Sequence, residues 1–174
     1  MGLLVRRAEP QDAPAVALVH VASWRQAYRG LLPQEYLNSL SVETWTTTWA
    51  NAFSQLPGQS STTLVGELDG QIVGFACVGP SRDDDRDTAT AELLGLYLDP
   101  AHWGAGHGCT LHTEALDVAR ASGTTAATLW VLTTNQRARN FYERQGWAAD
   151  GADKTVWRGD VRLDETRYRI SLMV

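Results

Sequence analysis

The chain has 174 residues, 44% of them apolar and 20% charged, which is enough for one domain and too few for two comfortable ones. This composition excludes a disordered or membrane-embedded chain, and a net charge of −5 argues against nucleic acid as a general partner. Two cysteines (Cys77, Cys109) and four scattered histidines show no metal-ligand spacing, so no metal is expected.

Residues 1–174 read as one α/β domain. Leu3 to Arg7 reads as a short strand; the apolar run there is too short for a signal peptide, and no stretch approaches a membrane span. A cytoplasmic protein without a membrane partner is therefore expected. Asp12 can cap a helix with Pro14 in its first turn, running through Val16, Val19 and Trp24 to about Tyr28 and ended by Gly30 and Pro33. A second helix follows Ser41, with Trp45, Trp49, Ala52 and Phe53 on one face, and Pro57-Gly58 closes it.

The period then changes to two. Thr62–Leu68 and Gln71–Val78 flank Asp69-Gly70, a strong hairpin signal. Ser81–Thr90, with Asp83, Asp84, Asp85 and Asp87, reads as a solvated turn. A third strand, Leu93–Leu98, runs into Pro100 and a glycine-rich loop. Cys109–Ser122 is helical, with Gly123 as its stop. Ala126–Leu132 is a buried strand, Asn135 starts a helix carrying Ala138, Phe141 and Tyr142, and Gly146 stops it. Strands near Thr155–Arg158 and Thr166–Leu172 complete a three-layer mixed sheet. Residues 1–130 hold 7 basic and 14 acidic side chains, whereas residues 131–174 hold 8 and 6. That asymmetry suits a polyanion near the C-terminal part and a cation near the rest.

The segment Trp103-Gly104-Ala105-Gly106-His107-Gly108-Cys109 joins a strand to a helix. Alternating glycines let backbone amides approach a ligand, and the helix N-terminus adds partial positive charge, so the loop suits an anion, most naturally phosphate. Its GxGxG spacing differs from a dinucleotide fingerprint, and no Gly-Lys-Ser/Thr is present. A tight turn without a ligand remains open on the spacing alone.

This loop resembles the acetyl-CoA pyrophosphate loop of the GNAT N-acetyltransferase superfamily. Glu92-Leu93-Leu94-Gly95-Leu96-Tyr97-Leu98-Asp99-Pro100 is similar to that family's strand into the loop, and Asn135…Ala138…Phe141-Tyr142-Glu143-Arg144…Gly146-Trp147 to its next strand-to-helix segment. Ser23-Trp24…Ala27-Tyr28-Arg29-Gly30 resembles the first helix and loop of a bacterial subgroup. Trp103 stands where the family often has Gln or Arg, which removes a side-chain donor but keeps the backbone amides.

The resemblance implies a GNAT-type fold using acetyl-CoA as co-substrate, with a homodimer plausible. It implies that Leu96, Tyr97 and Leu98 offer backbone to the pantetheine arm, and that a backbone N–H there polarises the thioester carbonyl. Gly104, Gly106 and Gly108, with the amides of Ala105, His107 and Cys109, would hold the pyrophosphate. Asn135 would bind pantetheine or simply cap its helix. Tyr142 is placed near the thioester sulfur as general acid. A phenol near pKa 10 protonating a thiolate near 8.5 is uphill by only ~2 kcal/mol.

An amine with pKa ~10.4 is neutral to roughly one part in a thousand at pH 7, so freeing it costs ~4–5 kcal/mol. Glu92, a lone carboxylate on an apolar strand, is the candidate base, directly or through water, unless it is a solvent-facing edge charge. Asp99 more simply shapes the turn. Cys109 at a helix start invites a covalent acyl-enzyme, but reads better as a small residue beside the loop. Trp24 and Tyr28 are placed near the acceptor; Trp45 and Trp49 read as core. The acidic chain favours a cationic small-molecule amine. The rival readings are a non-catalytic acyl-CoA sensor on the same fold and a nucleotide-binding phosphate loop.

Overall fold

Apolar alternation along the strands decides where the helices dock. In the computed structural model, residues 2–54, 61–85 and 87–173 are described, and Pro57-Gly58 lies outside them. The strands are β1 (Leu4–Arg7), β2 (Thr62–Leu68), β3 (Gln71–Pro80), β4 (Thr90–Leu98), β5 (Ala126–Leu132), β6 (Ala148–Arg158) and β7 (Val161–Ser171). The helices are α1 (Ala13–Ala27), α2 (Gln34–Ser39), α3 (Val42–Phe53), α4 (His107–Ala121) and α5 (Gln136–Arg144). Leu64 and Ala76 point to one face, joining Leu111 and Ala115 of α4. Their neighbours Val65 and Phe75 point to the other, joining Val16 and Val19 of α1. Helices therefore cover both faces of one seven-stranded sheet, ordered β1-β2-β3-β4-β5-β7-β6. The expected three-layer mixed α/β fold is what forms.

All sheet neighbours are antiparallel except β4 and β5. The Asp69-Gly70 hairpin forms as expected, with both residues at positive φ (51° and 78°). Four details differ from the sequence reading. Asp12 precedes α1, but its carboxylate accepts from the Glu9 amide and the Arg6 guanidinium rather than capping the helix. Six-residue α2 escaped notice because a single fully buried side chain, Leu37, anchors it. Strands β6 and β7 start earlier than their apolar residues suggest, since β6 is a largely exposed edge whose polar run shows no apolar alternation. The 81–85 loop is not simply solvated: Asp85 takes both terminal nitrogens of Arg167 at 2.7 Å, and Asp83 accepts from Trp130 Nε1 at 2.9 Å. Among the described residues no helix is long and apolar enough to cross a membrane.

Candidate active site

The sheet opens where the site forms. Strands β4 and β5 pair only at Thr90↔Ala126, Ala91↔Ala127 and Glu92↔Thr128. Beyond that point β4 continues along β3 and β5 along β7, so the two diverge. A bulge accompanies the divergence: Cys77 faces Gly95 and Val78 faces Leu93, which leaves Leu94 without a cross-strand partner. Bulges bend a strand and add twist. Gly95 is required here, because a Cβ would lie 2.7 Å from the Tyr97 ring. The gap is a cavity of about 550 Å³, reached by Leu93–Leu98, the glycine loop and α5. Leu96, Tyr97 and Leu98, the residues expected to meet a pantetheine arm, line it.

The loop at its far end is held from both sides. Asp99 accepts from the Ala101 amide at 2.8 Å, and Trp103 Nε1 donates to the Leu98 carbonyl at 2.9 Å. Trp103 therefore pins the loop to the end of β4, and the Arg137 guanidinium lies 3.4 Å from its ring centroid. Gly104 and Gly106 sit at φ +83° and +86°, and a Cβ on either would meet nothing within 4 Å. Helix α4 starts at His107, two residues before the expected Cys109, with left-handed Gly106 as its N-cap. That shift has a consequence. The Cys109 amide bonds the Gly106 carbonyl at 3.0 Å, so it is spent inside the helix. The amides of Ala105, His107 and Gly108 have no acceptor among the described residues, which puts Gly108 in the place expected of Cys109. Gly108 also needs to be small, since its Cβ would press on Leu98 at 3.2 Å. The Cys109 thiol is exposed and receives the Gln145 side-chain amide at 3.4 Å.

Helix α5 forms the opposite wall. Asn135 is buried and its Oδ1 caps the helix by accepting from the Ala138 amide at 3.1 Å. Its NH₂ makes no bond to a described residue, so cap and ligand contact are compatible. Tyr142 packs edge-on against Phe141 and Trp147 and lines the cavity, its hydroxyl without a hydrogen-bond partner among the described residues. Burial raises its pKa above the usual tyrosine value, so it is a hydroxyl throughout the neutral range.

A second cavity, of about 360 Å³, adjoins the first along β4. Tyr28, Leu93, Leu94, Tyr97 and Trp130 line both cavities and so form their shared boundary. Trp24 lines the second, its ring edge-on to Tyr28 at 4.8 Å and its buried Nε1 unpartnered among the described residues. Tyr28 and Tyr97, expected to contribute a side chain and backbone respectively, both bring rings to this boundary. Burial raises both phenols above their usual pKa. Trp45 and Trp49, both half-buried, instead pack against His20, with Trp49 Nε1 donating to its Nδ1 at 3.2 Å, and only Trp49 joins the core beside Phe75.

Glu92 departs from its expected setting. It is neither lone nor solvent-facing: its side chain is 2% exposed, and Arg82 holds both oxygens at 2.7 and 3.2 Å, with the Arg82 amide at 2.9 Å. It does line the second cavity. Sequence reasoning missed Arg82, Lys154, Arg158 and Glu165 there, and Arg137 in the first cavity. No local pattern marks them, because the second cavity draws on residues from Trp24 to Glu165. No cluster of His, Cys, Asp or Glu among the described residues is arranged to hold a metal ion.

Residues 21–147 match the Acetyltransferase (GNAT) family. An uncharacterized N-acetyltransferase of Bacillus subtilis is 30% identical over 131 residues, covering 75% of this chain and 72% of that protein. One from Archaeoglobus fulgidus is 33% identical over 143 residues, covering 81% and 90%. The same fold appears in the PaiA N-acetyltransferase of Thermoplasma acidophilum, solved with coenzyme A, at TM-score 0.80 and 22% identity over 98% of this chain and 99% of that one. With a strand pair that splits over a glycine loop and with these relatives, the chain belongs to the GNAT acetyltransferase family.

Proposed function

We propose that this protein transfers an acetyl group from acetyl-CoA to the amine of a small molecule, by direct attack with both substrates bound. The observation that carries this reading is the gap between β4 and β5, which opens onto Tyr142 on one side and a charged cavity on the other. The residues fit acetyl-CoA: Gly104, Gly106 and Gly108 line the first cavity, the amides of Ala105, His107 and Gly108 in the same loop are unspent, and Arg137 adds a cation. In this reading the Leu96–Leu98 backbone and Asn135 hold the pantetheine arm. Acetyl-CoA supplies the acetyl group as a thioester, which an amine nitrogen attacks; the C–N bond forms and the C–S bond breaks.

Tyr142 gives the departing sulfur its proton. Its raised pKa makes full transfer cost more than the ~2 kcal/mol of an unperturbed phenol, so the proton moves as the C–S bond breaks. Glu92 takes the proton released by the amine, through solvent in the second cavity, with Arg82 fixing its orientation. Trp24 and Tyr28 flank the acceptor. The size of the second cavity suits a small molecule better than a folded protein. Thiol release from acetyl-CoA in the presence of an amine panel tests the reading. Turnover with at least one amine supports it, whereas saturable acetyl-CoA binding with no turnover points to a non-catalytic sensor.

A further inference from the structure

The net charge of the chain is −5, yet the second cavity is locally different. Its charged lining is Arg82, Lys154 and Arg158 against Asp83, Glu92 and Glu165. Asp83 meets Arg167, which does not line the cavity, at 3.2 Å, but that guanidinium also pairs with Asp85 and Asp150 at 2.7 Å. Arg82 is committed to Glu92. Lys154 sits 3.9 Å from the Trp130 ring centroid and faces Glu165 at 3.6 Å, beyond hydrogen-bond length. Arg158 is exposed and has no ion-pair or hydrogen-bond partner among the described residues.

The lining thus sets three cations against three carboxylates, in a chain of net charge −5, and Arg158 is the cation among them without a described partner. The charges are also ordered by depth. Glu92 is 2% exposed and Glu165 22%, whereas Lys154 is 35% exposed and Arg158 lies at the mouth. The floor is the wall shared with the first cavity, where an acceptor nitrogen has to reach. A ligand that matches this gradient puts its ammonium inward, toward the carboxylates, and an anionic group outward.

Building on the acetyl-transfer reading, we propose that the acceptor is an amine carrying its own anionic group, an amino-acid-like zwitterion, whose anion is bound by Arg158 with Lys154. The guanidinium fork suits a carboxylate, phosphonate or similar planar or multi-oxygen anion. The site thus differs from the cationic acceptor suggested by the overall charge of the chain.

The test is thiol-release kinetics with the whole protein on matched acceptors. These are the twenty L-amino acids, β-alanine and aminomethylphosphonate, the corresponding amino-acid amides, and spermidine as a purely cationic amine. The expected best acceptor bears an anion, and its amide has a kcat/KM at least tenfold lower. R158A lowers kcat/KM for that acceptor at least tenfold more than for its amide, mainly through KM, and R158K restores part of the discrimination. The proposal is overturned if amides or spermidine are equal or better, or if R158A affects acid and amide alike. Turnover confined to amides or spermidine would overturn this proposal while keeping the acetyltransferase reading. Acetyl-CoA binding with no turnover on any amine would overturn both.

Discussion

Replacing Gly106 by alanine separates a ligand-binding loop from a merely tight turn. Gly106 sits at φ +86°, and its missing Cβ points into space with no atom within 4 Å, so the substitution adds no clash. The cost is conformational: a left-handed L-residue is disfavoured by about 1–2 kcal/mol. Either the loop keeps its shape and the protein loses that stability, or it relaxes and turns the His107 and Gly108 amides away. In the second case acetyl-CoA affinity falls about 5- to 30-fold, since 1.4 kcal/mol is a factor of ten. Gly123 supplies the control. It has φ +85° and equally open space, but sits beyond the other end of α4, and Gly123→Ala should cost comparable stability without touching affinity. Calorimetric Kd values for acetyl-CoA, with urea midpoints for each variant, give both numbers. Gly106→Ala that loses clearly less stability than Gly123→Ala, so that the loop has relaxed, and yet keeps an unchanged Kd would refute the phosphate-loop assignment.

Tyr142→Phe keeps the ring packing against Phe141 and Trp147 and removes only the hydroxyl, so kcat should fall roughly 10²-fold or more while the acetyl-CoA Kd stays within about twofold. Unchanged turnover would remove the acid role. Glu92→Gln should lower kcat/KM and displace the acid limb of its pH profile, and a limb that stays in place excludes Glu92 as base. Stability should also depend on acid. His20 and His112 are buried, and burial lowers each pKa to about 4, with Arg120 adding to the effect at His112. Each accepts from an indole, Trp49 and Trp147 respectively, and so must stay neutral. The unfolded chain binds these protons near pH 6.5, so the stabilisation is present above that pH and lost as pH falls toward 4, by about 3 kcal/mol per histidine. Urea midpoints at pH 7 and 4.5 for His112→Gln and the wild type test this; identical pH dependence in both would contradict it.

The parts of the site that were legible in the sequence are those written in consecutive residues. The strand–glycine loop–helix run from Leu93 to Gly108 and the Asn135–Tyr142 helix carry their chemistry within one stretch, where turn residues and apolar period are visible. Helix α4 begins before the point its apolar period suggests, because Gly106 looks like loop in sequence whereas its left-handed conformation makes it the helix cap. That single difference moved the free amide from Cys109 to Gly108. Glu92 looked isolated because its partner lies ten residues earlier, in a loop whose four aspartates suggested only solvation. The start of the β6–β7 hairpin is hidden because the half-buried positions of edge strand β6 include Lys154, so burial alternates there without an apolar pattern to mark it. The second cavity had no sequence signature, since strand divergence is a property of pairing and not of any one segment.

The measurement that bears most directly on the whole account is calorimetric titration of the purified protein with acetyl-CoA, with ATP and NAD as controls. The account predicts saturable binding of acetyl-CoA with one site per chain, and no comparable binding of ATP or NAD. Absence of acetyl-CoA binding, or equal affinity for ATP or NAD, would contradict it and leave the glycine loop as a turn or a nucleotide site.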